Sequence, residues 1–289
     1  MLGVEPAPAA DNKQRGGTAG GNELAIRILS TFVLAPLAIA AAYAGSWIFG
    51  VFWLIGALGV WWEWNALVSG VGNRLLFILG ATSLILALVI AEMGMTRTPM
   101  LIIALGALGA GVFATADRRI WTAGGLIYAG AMLTGAIALR RDVELGLAAS
   151  LFLFAIVWAT DTLAYFAGRA FGGPKLAPKI SPNKTWSGAI GGAAGAIFAG
   201  IVVAKLAGLQ NLAAIGIVAL LLSIVAQAGD LFESAMKRRF GKKDASRLIP
   251  GHGGFMDRLD GFVAAVIAAA LFGIARDGLD AAAQGLLLW

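Results

Sequence analysis

The sequence predicts an all-α, polytopic integral membrane protein with about nine transmembrane helices. Of its 289 residues, 59% are hydrophobic and only 13% are charged, and the mean hydropathy is +0.83, whereas soluble domains carry roughly 25% charged residues. Apolar runs recur along the chain, and their lengths approach the roughly 20 residues that a spanning helix needs. The predicted spans lie at 24–44, 47–69, 74–92, 99–116, 120–139, 144–166, 186–207, 211–232 and 261–276.

The domain organisation follows from where these spans begin. Residues 1–23 have no apolar face, so we expect a disordered N-terminal tail. They do not resemble a cleavable signal, because the apolar run from Leu24 is long enough to span and be retained. Residues 24–142 are predicted to form the N-terminal transmembrane helices. Residues 143–289 are predicted to form a C-terminal transmembrane catalytic region with cytoplasmic loops at 167–185 and 233–260.

Basic residues predict which face each loop occupies. With a cytoplasmic N-terminus, seventeen of the 22 Lys and Arg residues fall on the inside and five on the outside, as the positive-inside rule requires. The five outside residues are Arg97, Arg140, Arg141, Lys205 and Arg276. In either orientation, the loops after the sixth and eighth spans share one face.

The glycine-rich stretches 188–200 and 106–111 predict close helix packing in the membrane.

Composition also limits the kind of metal site. The chain has no cysteine and one histidine, which excludes disulfides, thiolate-bound metals and His-rich sites. A metal ion would need oxygen ligands, which favours Mg²⁺, Mn²⁺ or Ca²⁺.

Acidic residues recur inside or beside the predicted spans. Asp161 and Asp230 lie near the ends of the sixth and eighth spans, where an ionised carboxylate is costly unless it faces a polar cavity or has a partner. Asp230 and Glu233 share a helix face, as do Asp257 and Asp260. Beside basic loops, these pairs predict a divalent cation and a polyphosphate. Two further acids near span ends, Glu63 and Glu92, lack basic neighbours in sequence, so we expect them at the membrane interface.

The basic residues of the two loops favour a phosphate ligand. Lys184 follows a Ser-Pro turn, and Thr185 can cap the next helix, whose N-terminus favours an anion. The absence of a GxxxxGK[ST] run excludes a Walker-type site. Charged loops can also be solvated connectors, but the acids inside or at the edges of the spans argue against this alternative. They can also bind anionic head groups, but the acids interleaved with the basic residues argue against that.

The segment Ser234–Asp260 (SAMKRRFGKKDASRLIPGHGGFMDRLD) resembles the signature of the phosphatidate cytidylyltransferases, also called CDP-diacylglycerol synthases. The fixed positions of that signature are Ser234, Lys237, Arg238, Lys243, Asp244, Pro250, His252, Gly253, Gly254, Asp257, Arg258 and Asp260. WATDTLAYFAGRAFG and SPNKTWSG also resemble the family, so the resemblance covers roughly residues 24–276. One position departs from it: Ser187 stands where the family usually has an acid, so no role for that acid is carried over.

This resemblance implies transfer of a cytidylyl group from CTP to phosphatidic acid, forming CDP-diacylglycerol and pyrophosphate. It implies Mg²⁺ held by Asp230, Asp257 and Asp260, while Asp161 would hold a second cation or orient a lysine. The cations expected to neutralise phosphate charge are Lys184, Lys237, Arg238, Lys243 and Arg258. Asp244 and His252 complete the expected catalytic set. The substrate-binding residues are expected to be Asp161, Ser181, Lys184, Thr185, Ser234, Gly253 and Gly254.

His252 is expected to donate to phosphate or to organise its loop, because phosphatidate needs no strong general base. A phosphate monoester has its second pKa near 6, so phosphatidate is largely dianionic at neutral pH and already nucleophilic.

The expected partners are CTP, phosphatidic acid and the lipid bilayer, with no polymeric nucleic acid; a homo-oligomer is compatible with them. The expected location is a bacterial inner membrane, with the active site facing the cytoplasm. Two alternatives remain. The first is a CDP-alcohol phosphatidyltransferase, whose motif begins with Asp-Gly; neither Asp260-Gly261 nor Asp277-Gly278 is followed by the rest of that motif. The second is a transporter, which would show internal repeats.

Overall fold

The computed structural model describes residues 33–70, 73–242, 244–246 and 254–289. The predicted tail, residues 1–23, lies outside these ranges, as does the start of the first predicted span. The helices are α1 Val33–Ala44, α2 Ser46–Ser69, α3 Arg74–Glu92, α4 Thr98–Phe113, α5 Arg119–Arg140, α6 Gly146–Phe171, α7 Trp186–Leu206, α8 Leu212–Arg239, α9 Met256–Asp277 and α10 Ala282–Leu287. Between α6 and α7, β1 Lys175–Ala177 and β2 Ser181–Thr185 form an antiparallel hairpin.

An integral membrane protein is confirmed at the level of helix length and composition. Across the described ranges, each of the nine predicted runs contains a helix, and seven of these helices are long and apolar enough to cross a membrane. The other two, α1 over its described part and α4, are shorter apolar helices. The fold is therefore nearly all-α as predicted, but nine full crossings are not confirmed.

Side-chain caps fix where several helices begin. Asn73 accepts the N–H of Leu76 at 3.3 Å before α3, and Asn211 accepts the N–H of Ala214 at 3.2 Å before α8. Pro99 occupies the first turn of α4, where its missing N–H has no helical partner to lose. These residues mark the boundaries between apolar runs that hydropathy alone leaves indistinct.

Aromatic side chains of α2 join it to the rest of the core. Trp53 is buried and stacks on Phe262 of α9 with ring centroids 4.3 Å apart. Trp64 is also buried, and its indole N–H donates to the carbonyl of Trp121 on α5 at 2.8 Å. Because a buried indole N–H needs a partner, this bond fixes how α2 lies against α5.

The glycine-rich start of α7 allows it to pack closely on α6. A Cβ built on Gly188 would lie 2.8 Å from the carbonyl oxygen of Ala164, and one on Gly192 would lie 2.8 Å from that of Thr160. Only glycine permits this backbone approach without displacement. The predicted close helix packing at 188–200 is therefore confirmed, and it holds the helix that carries Asp161 against the helix that follows Lys184.

Three predicted boundaries near the loops were wrong. α6 continues to Phe171, so Asp161 lies ten residues before its end rather than about one turn before it. α8 continues to Arg239, and α9 begins at Met256. Hydropathy marks only the apolar part of a helix. A helix can continue past that part, because water and side-chain pairs at helical spacing, such as Glu233 with Lys237, stabilise its polar turns.

Contacts between loops confirm that several predicted inside segments share a face. The Nη1 group of Arg118 donates to the carbonyl of Val68 at 2.6 Å, and its guanidinium lies 5.2 Å from the ring centroid of Phe240. Lys242 donates to the carbonyl of Ala66 at 3.4 Å. The turns after α2, α4 and α8 therefore meet at one end of the helices.

Arginines predicted for the outside gather at the other end. Nε of Arg140 donates to the carbonyl of Ala42 at 2.6 Å, and Arg141 donates to the carbonyl of Ala91. Arg276 donates to the carbonyl of Gly285 at 2.9 Å, in the short helix α10 that the sequence analysis did not predict. Each of these arginines satisfies a carbonyl near the end of a helix.

Candidate active site

An ion pair between Lys184 and Asp230 joins the first of the two predicted loops to the end of the eighth predicted span. Lys184 lies on β2, and Asp230 lies on α8. The hairpin presents Lys184 because Lys175 pairs with Thr185 in its antiparallel register. Both side chains are only partly buried, at 26% and 29% exposure. The prediction that the loops after the sixth and eighth spans share one face is thus confirmed.

Thr185 and Ser187 anchor this hairpin to the helices on either side. The Thr185 hydroxyl accepts the N–H of Gly188 at 3.1 Å, so the predicted cap of α7 is confirmed. Ser187 donates to the carbonyl of Gly172, where α6 ends, and its Oγ lies 3.0 Å from Oγ1 of Thr185. The residue that departs from the family pattern therefore ties α7 to the end of α6. An ionised carboxylate at this position could not make the same bond, because it has no proton to donate.

Lys237 links α8 to α9 through two carboxylates. Its Nζ lies 2.5 Å from Oδ1 of Asp257 and 3.1 Å from Oε1 of Glu233. The Glu233 side chain is 1% exposed; the ammonium approaches it as an ion pair without hydrogen-bond geometry, and neither carboxylate oxygen has a hydrogen-bond partner within the described residues. A buried carboxylate left in this state has unused capacity for a cation or a proton donor.

Asp257 also holds the end of the signature segment. Its Oδ2 accepts the N–H of Gly254 at 2.8 Å and the N–H of Ala245 at 3.2 Å. With Lys237 on Oδ1, both carboxylate oxygens of this predicted metal ligand have protein partners. In this structure, Asp257 therefore holds the backbone that leads into α9.

Glu63 performs a similar role from α2, and the prediction that it lies at the membrane interface was wrong. Glu63 is fully buried. Its Oε1 accepts the N–H of Phe255 at 2.8 Å and the hydroxyl of Ser246 at 2.5 Å, and its Oε2 accepts the N–H of Met256 at 2.7 Å. These amides open α9, where a carboxylate is favoured by the free N–H groups and the helix dipole.

The contact with Glu63 explains the glycine at position 254. A Cβ on Gly254 would collide with the carboxylate of Glu63. Gly254 was predicted to bind substrate; here its backbone N–H is bonded to Asp257.

Asp161 and Asp260 extend the acidic cluster between α6 and α9. Asp161 interacts electrostatically with Asp230, Lys184 and Arg258. Asp260 interacts with Asp230, Glu233 and Asp161, and its Oδ1 accepts the N–H of Gly261 at 2.7 Å. Four helix-borne carboxylates therefore interact electrostatically in the region where the sequence predicted a cation.

The remaining predicted residues have less definite placements. Ser181 and Ser234 are half-buried, and Asp244 and Arg238 are exposed, with Arg238 bonded to the carbonyl of Lys242 at 3.4 Å. Arg258 is exposed in the first turn of α9. The predicted roles of Lys243, His252 and Gly253 concern residues outside the described ranges.

The donor set fits a hard divalent cation, although the side chains do not form a complete coordination shell. Four carboxylates (Asp161, Asp230, Glu233 and Asp257) interact with three cations (Lys184, Lys237 and Arg258), and a fifth, Asp260, interacts with three of these carboxylates. Oxygen ligands and excess negative charge suit Mg²⁺. Among the described residues, however, no group of three or more His, Cys, Asp or Glu side chains converges at metal distance.

Glu63 and Tyr128 belong to this region but were not predicted to from the sequence. The hydroxyl of Tyr128, on α5, lies 3.5 Å from the carbonyl oxygen of Asp260 and interacts electrostatically with Glu233. Tyr128 carries no sequence signal that separates it from a packed aromatic residue. Glu63 did carry a sequence signal, because an acid among tryptophans inside an apolar run needs a buried partner. Its partners include the backbone N–H groups of Phe255 and Met256, which composition does not reveal.

Comparison with known proteins gives extensive matches. The model of the family described as the cytidylyltransferase family matches residues 25–274. A phosphatidate cytidylyltransferase of Brucella abortus biovar 1 (strain 9-941) is 43% identical over 259 residues, covering 87% of this chain and 94% of that protein. Proteins of the same name match from Haemophilus influenzae (46% over 131 residues; 44% of this chain, 46% of that protein) and Staphylococcus epidermidis (strain ATCC 35984; 48% over 119 residues; 41% and 46%).

Proposed function

The chain belongs to the cytidylyltransferase family, and from that premise we propose that it transfers a cytidylyl group from CTP to phosphatidic acid, forming CDP-diacylglycerol and pyrophosphate. The substrates are suggested by the name shared by its relatives. The observation on this chain that carries the proposal is the ion pair between Lys184 and Asp230. It brings a basic hairpin and an acidic helix together at the same end of the molecule, as a site for phosphate and cation requires.

The cations of the site stabilise the phosphate groups. The obstacle to this reaction is electrostatic, because one anion must approach another, and positioned cations are the usual remedy in phosphoryl transfer. Lys184 and Arg258 interact electrostatically with Asp161, and Lys237 lies between Glu233 and Asp257. In this proposal they neutralise the triphosphate, the phosphatidate head group and the departing pyrophosphate, with Arg238 and Lys243 contributing from the same segment.

The acidic residues hold Mg²⁺ in this proposal. Asp230, Asp257 and Asp260 are the ligands; Asp161 either holds a second cation or orients Lys184. When bound, the metal ion would neutralise part of the negative charge of the nucleotide phosphates. Lys184 forms an ion pair with Asp230, and Lys237 forms one with Asp257. Each lysine would therefore be placed to bind a phosphate next to a carboxylate that would hold the ion.

The reaction needs no general base at this site. Phosphatidate is largely dianionic at neutral pH, so an oxygen of its phosphate can attack the α-phosphorus of CTP while the bond to the pyrophosphate oxygen breaks. No side chain needs to remove a proton. In this proposal, His252 donates a hydrogen bond to phosphate or organises its loop.

The predicted location follows from the same arrangement. The proposal places the site at the cytoplasmic face of a bacterial inner membrane, supported by the basic residues near the turns after α2, α4 and α8 and by bacterial relatives. Phosphatidate then keeps its acyl chains in lipid while its head group enters between α6 and α9. CTP arrives from water at the same face.

The test is turnover by the purified full-length protein in mixed micelles. Pyrophosphate release is measured with CTP, phosphatidate and Mg²⁺, and with each omitted in turn. We expect release only when all three are present. Pyrophosphate formation that does not depend on phosphatidate, or none with all three present, would overturn the proposal.

The alternatives raised by the sequence receive less support. Family membership favours cytidylyl transfer over CDP-alcohol phosphatidyl transfer, because the match covers residues 25–274. A transporter would move phosphatidate or CTP in proteoliposomes without chemical conversion. Product formation in the micelle assay, which has no separate compartments, would exclude transport as the whole of the function.

A further inference from the structure

A polar cavity lies at the end of the helices opposite the candidate active site. It measures about 210 Å³ and is lined by Ser46, Phe49, Glu92, Ile137, Arg140 and Arg141. A cavity can hold a water once this volume exceeds roughly 10–15 Å³, so this space has room for several waters. It is therefore large enough for a small charged group.

The cavity contains charges of both signs that do not neutralise one another directly. Within the described residues, Glu92 forms no ion pair with either arginine; its Oε2 accepts the hydroxyl of Ser46 at 3.2 Å. Arg140 and Arg141 each donate to one helix carbonyl. A guanidinium has five N–H donors, so both arginines retain donors for an anion, and Glu92 retains acceptors for a cation.

Exposed aromatic residues place the cavity at head-group depth. Tyr43 is 64% exposed and Trp47 is 47% exposed, on either side of the turn between α1 and α2. Tyr and Trp are enriched where a membrane meets water. α3 ends at Glu92 and α5 ends at Arg140, so the cavity lies where apolar helices give way to polar groups.

The backbone at the rim is strained. Ser46 has a φ of 43°, the only positive φ of a non-glycine residue in the described ranges. Such conformations cost about 1–3 kcal/mol and occur often at ligand sites. Here the strain coincides with the hydroxyl that bonds Glu92, so it helps to define the acidic side of the cavity.

We infer that this cavity binds the head group of a phospholipid of the opposite leaflet that carries both a phosphate and a primary ammonium. The phosphate lies against Arg140 and Arg141, where charge-assisted bonds are strong. The ammonium lies against Glu92. This site does not depend on the proposed transfer reaction, because it lies at the other end of the helices and contains none of the residues assigned to CTP or phosphatidate.

Binding selectivity tests the inference directly. The full-length protein, depleted of lipid in detergent, is titrated with phosphatidylethanolamine, phosphatidylglycerol or inorganic phosphate, and bound lipid is counted by native mass spectrometry. We expect saturable phosphatidylethanolamine binding. Glu92→Gln should weaken it about fivefold, as expected for loss of one modest ion pair, while phosphatidylglycerol binding stays the same or tightens.

Arginine variants provide the matched comparison. Arg141→Gln should weaken the binding of both lipids, whereas Arg276→Gln, at the same end but bonded to Gly285 outside the cavity, should weaken neither. Thermal unfolding of each variant identifies loss of fold. Because Glu92→Gln keeps the size of the side chain, it remains decisive even if Arg141→Gln fails to fold.

Two results would overturn the inference. One is unchanged phosphatidylethanolamine binding in a folded Glu92→Gln protein. The other is complete displacement of the lipid by millimolar inorganic phosphate, which would identify a site for free anions. Turnover of CTP plays no part in these measurements, so their failure is distinct from failure of the proposed function.

Discussion

Glu63 on α2 accepts the backbone N–H of Met256 on α9 at 2.7 Å, although 193 positions separate the two residues. The carboxylate also holds Phe255 and Ser246, so one buried side chain fixes both the first amides of α9 and the segment before it. Asp257 and Asp260 follow immediately on the same helix. The position of the signature acids therefore depends on a residue in the N-terminal half of the chain.

Glu63→Ala should impair both stability and turnover. It leaves the backbone amides of Phe255 and Met256 without their acceptor, and each orphaned buried group costs about 1–3 kcal/mol. We expect the free energy of unfolding to fall by at least about 2 kcal/mol, and kcat for CTP turnover to fall at least tenfold because the acids of α9 lose their position. Thermal unfolding and pyrophosphate release measure the two effects.

Glu92→Gln is the matched control for this prediction. Glu92 is also an acid near the end of a predicted span, but it lies in the cavity at the opposite end. Its substitution should leave kcat within about twofold, since it touches no residue of the site. Full turnover in a folded Glu63→Ala protein would show that the bonds to Phe255 and Met256 do not position the catalytic residues.

Lys184→Ala should reduce kcat/KM for CTP by about a hundredfold, or about 2.7 kcal/mol, as expected when one positioned charge donor is removed from a transferring phosphate. The partner of Lys184, Asp230, would also lose its counter-ion. Lys184→Arg should retain part of the rate because it keeps the charge but changes the donor geometry.

Lys205→Ala provides the comparison for charge removal. Lys205 is exposed in the last turn of α7, far along the helix from Lys184. It should leave kcat/KM unchanged. Equal losses in the two variants would mean that net charge, rather than the position of Lys184, controls the rate.

The sequence allowed prediction of the helices and of the end of the molecule that carries the site, but not of the contacts that hold the site together. Hydropathy located all nine apolar runs, because each run is a local property of consecutive residues. The ends of α6 and α8 were missed because polar helical residues carry no hydropathy signal. Parity of the spans correctly brought Lys184 and Asp230 to the same face.

Contacts between distant residues were harder to predict. Glu63 binds backbone amides, and every residue except proline has one, so no pairing of residue types marks the contact. Resemblance led to the prediction that Lys237 binds phosphate, whereas its contact with Asp257 at 2.5 Å depends on how α8 and α9 pack together. The position of Ser187 showed a departure from the family, but not its bond to Gly172.

The metal assignment predicts a change in Mg²⁺ dependence. Asp230→Asn, Asp257→Asn and Asp260→Asn should each nearly abolish turnover, and residual activity should need at least about tenfold more Mg²⁺ for half of its maximum, because an amide is a weaker ligand for a hard cation. Rates are measured across a Mg²⁺ titration at saturating CTP.

Asp117→Asn is the control for these variants. Asp117 is exposed, and bonds from Thr115 and Arg118 lower the pKa of its carboxyl group. Its removal should alter neither rate nor Mg²⁺ dependence. If Asp257→Asn alone loses turnover with unchanged Mg²⁺ dependence, then Asp257 positions Lys237 and the neighbouring amides without binding the metal.

Close packing of α6 on α7 predicts that Gly192→Ala destabilises the protein even though alanine is the better helix former. The added methyl group would lie 2.8 Å from the carbonyl oxygen of Thr160 and 3.1 Å from Cβ of Ala164, and overpacking of this kind costs about 1–3 kcal/mol. The helices must then separate, which moves Asp161 relative to Lys184 and should lower turnover as well.

Gly124→Ala tests the intrinsic effect of the same substitution, because a Cβ at that position on α5 meets nothing within 4 Å. This variant should be neutral or should stabilise the protein by up to about 1 kcal/mol. Thermal unfolding of both variants in one detergent gives the comparison, and equal midpoints would mean that α6 and α7 can shift at no cost, so their glycines would not hold Asp161 in place.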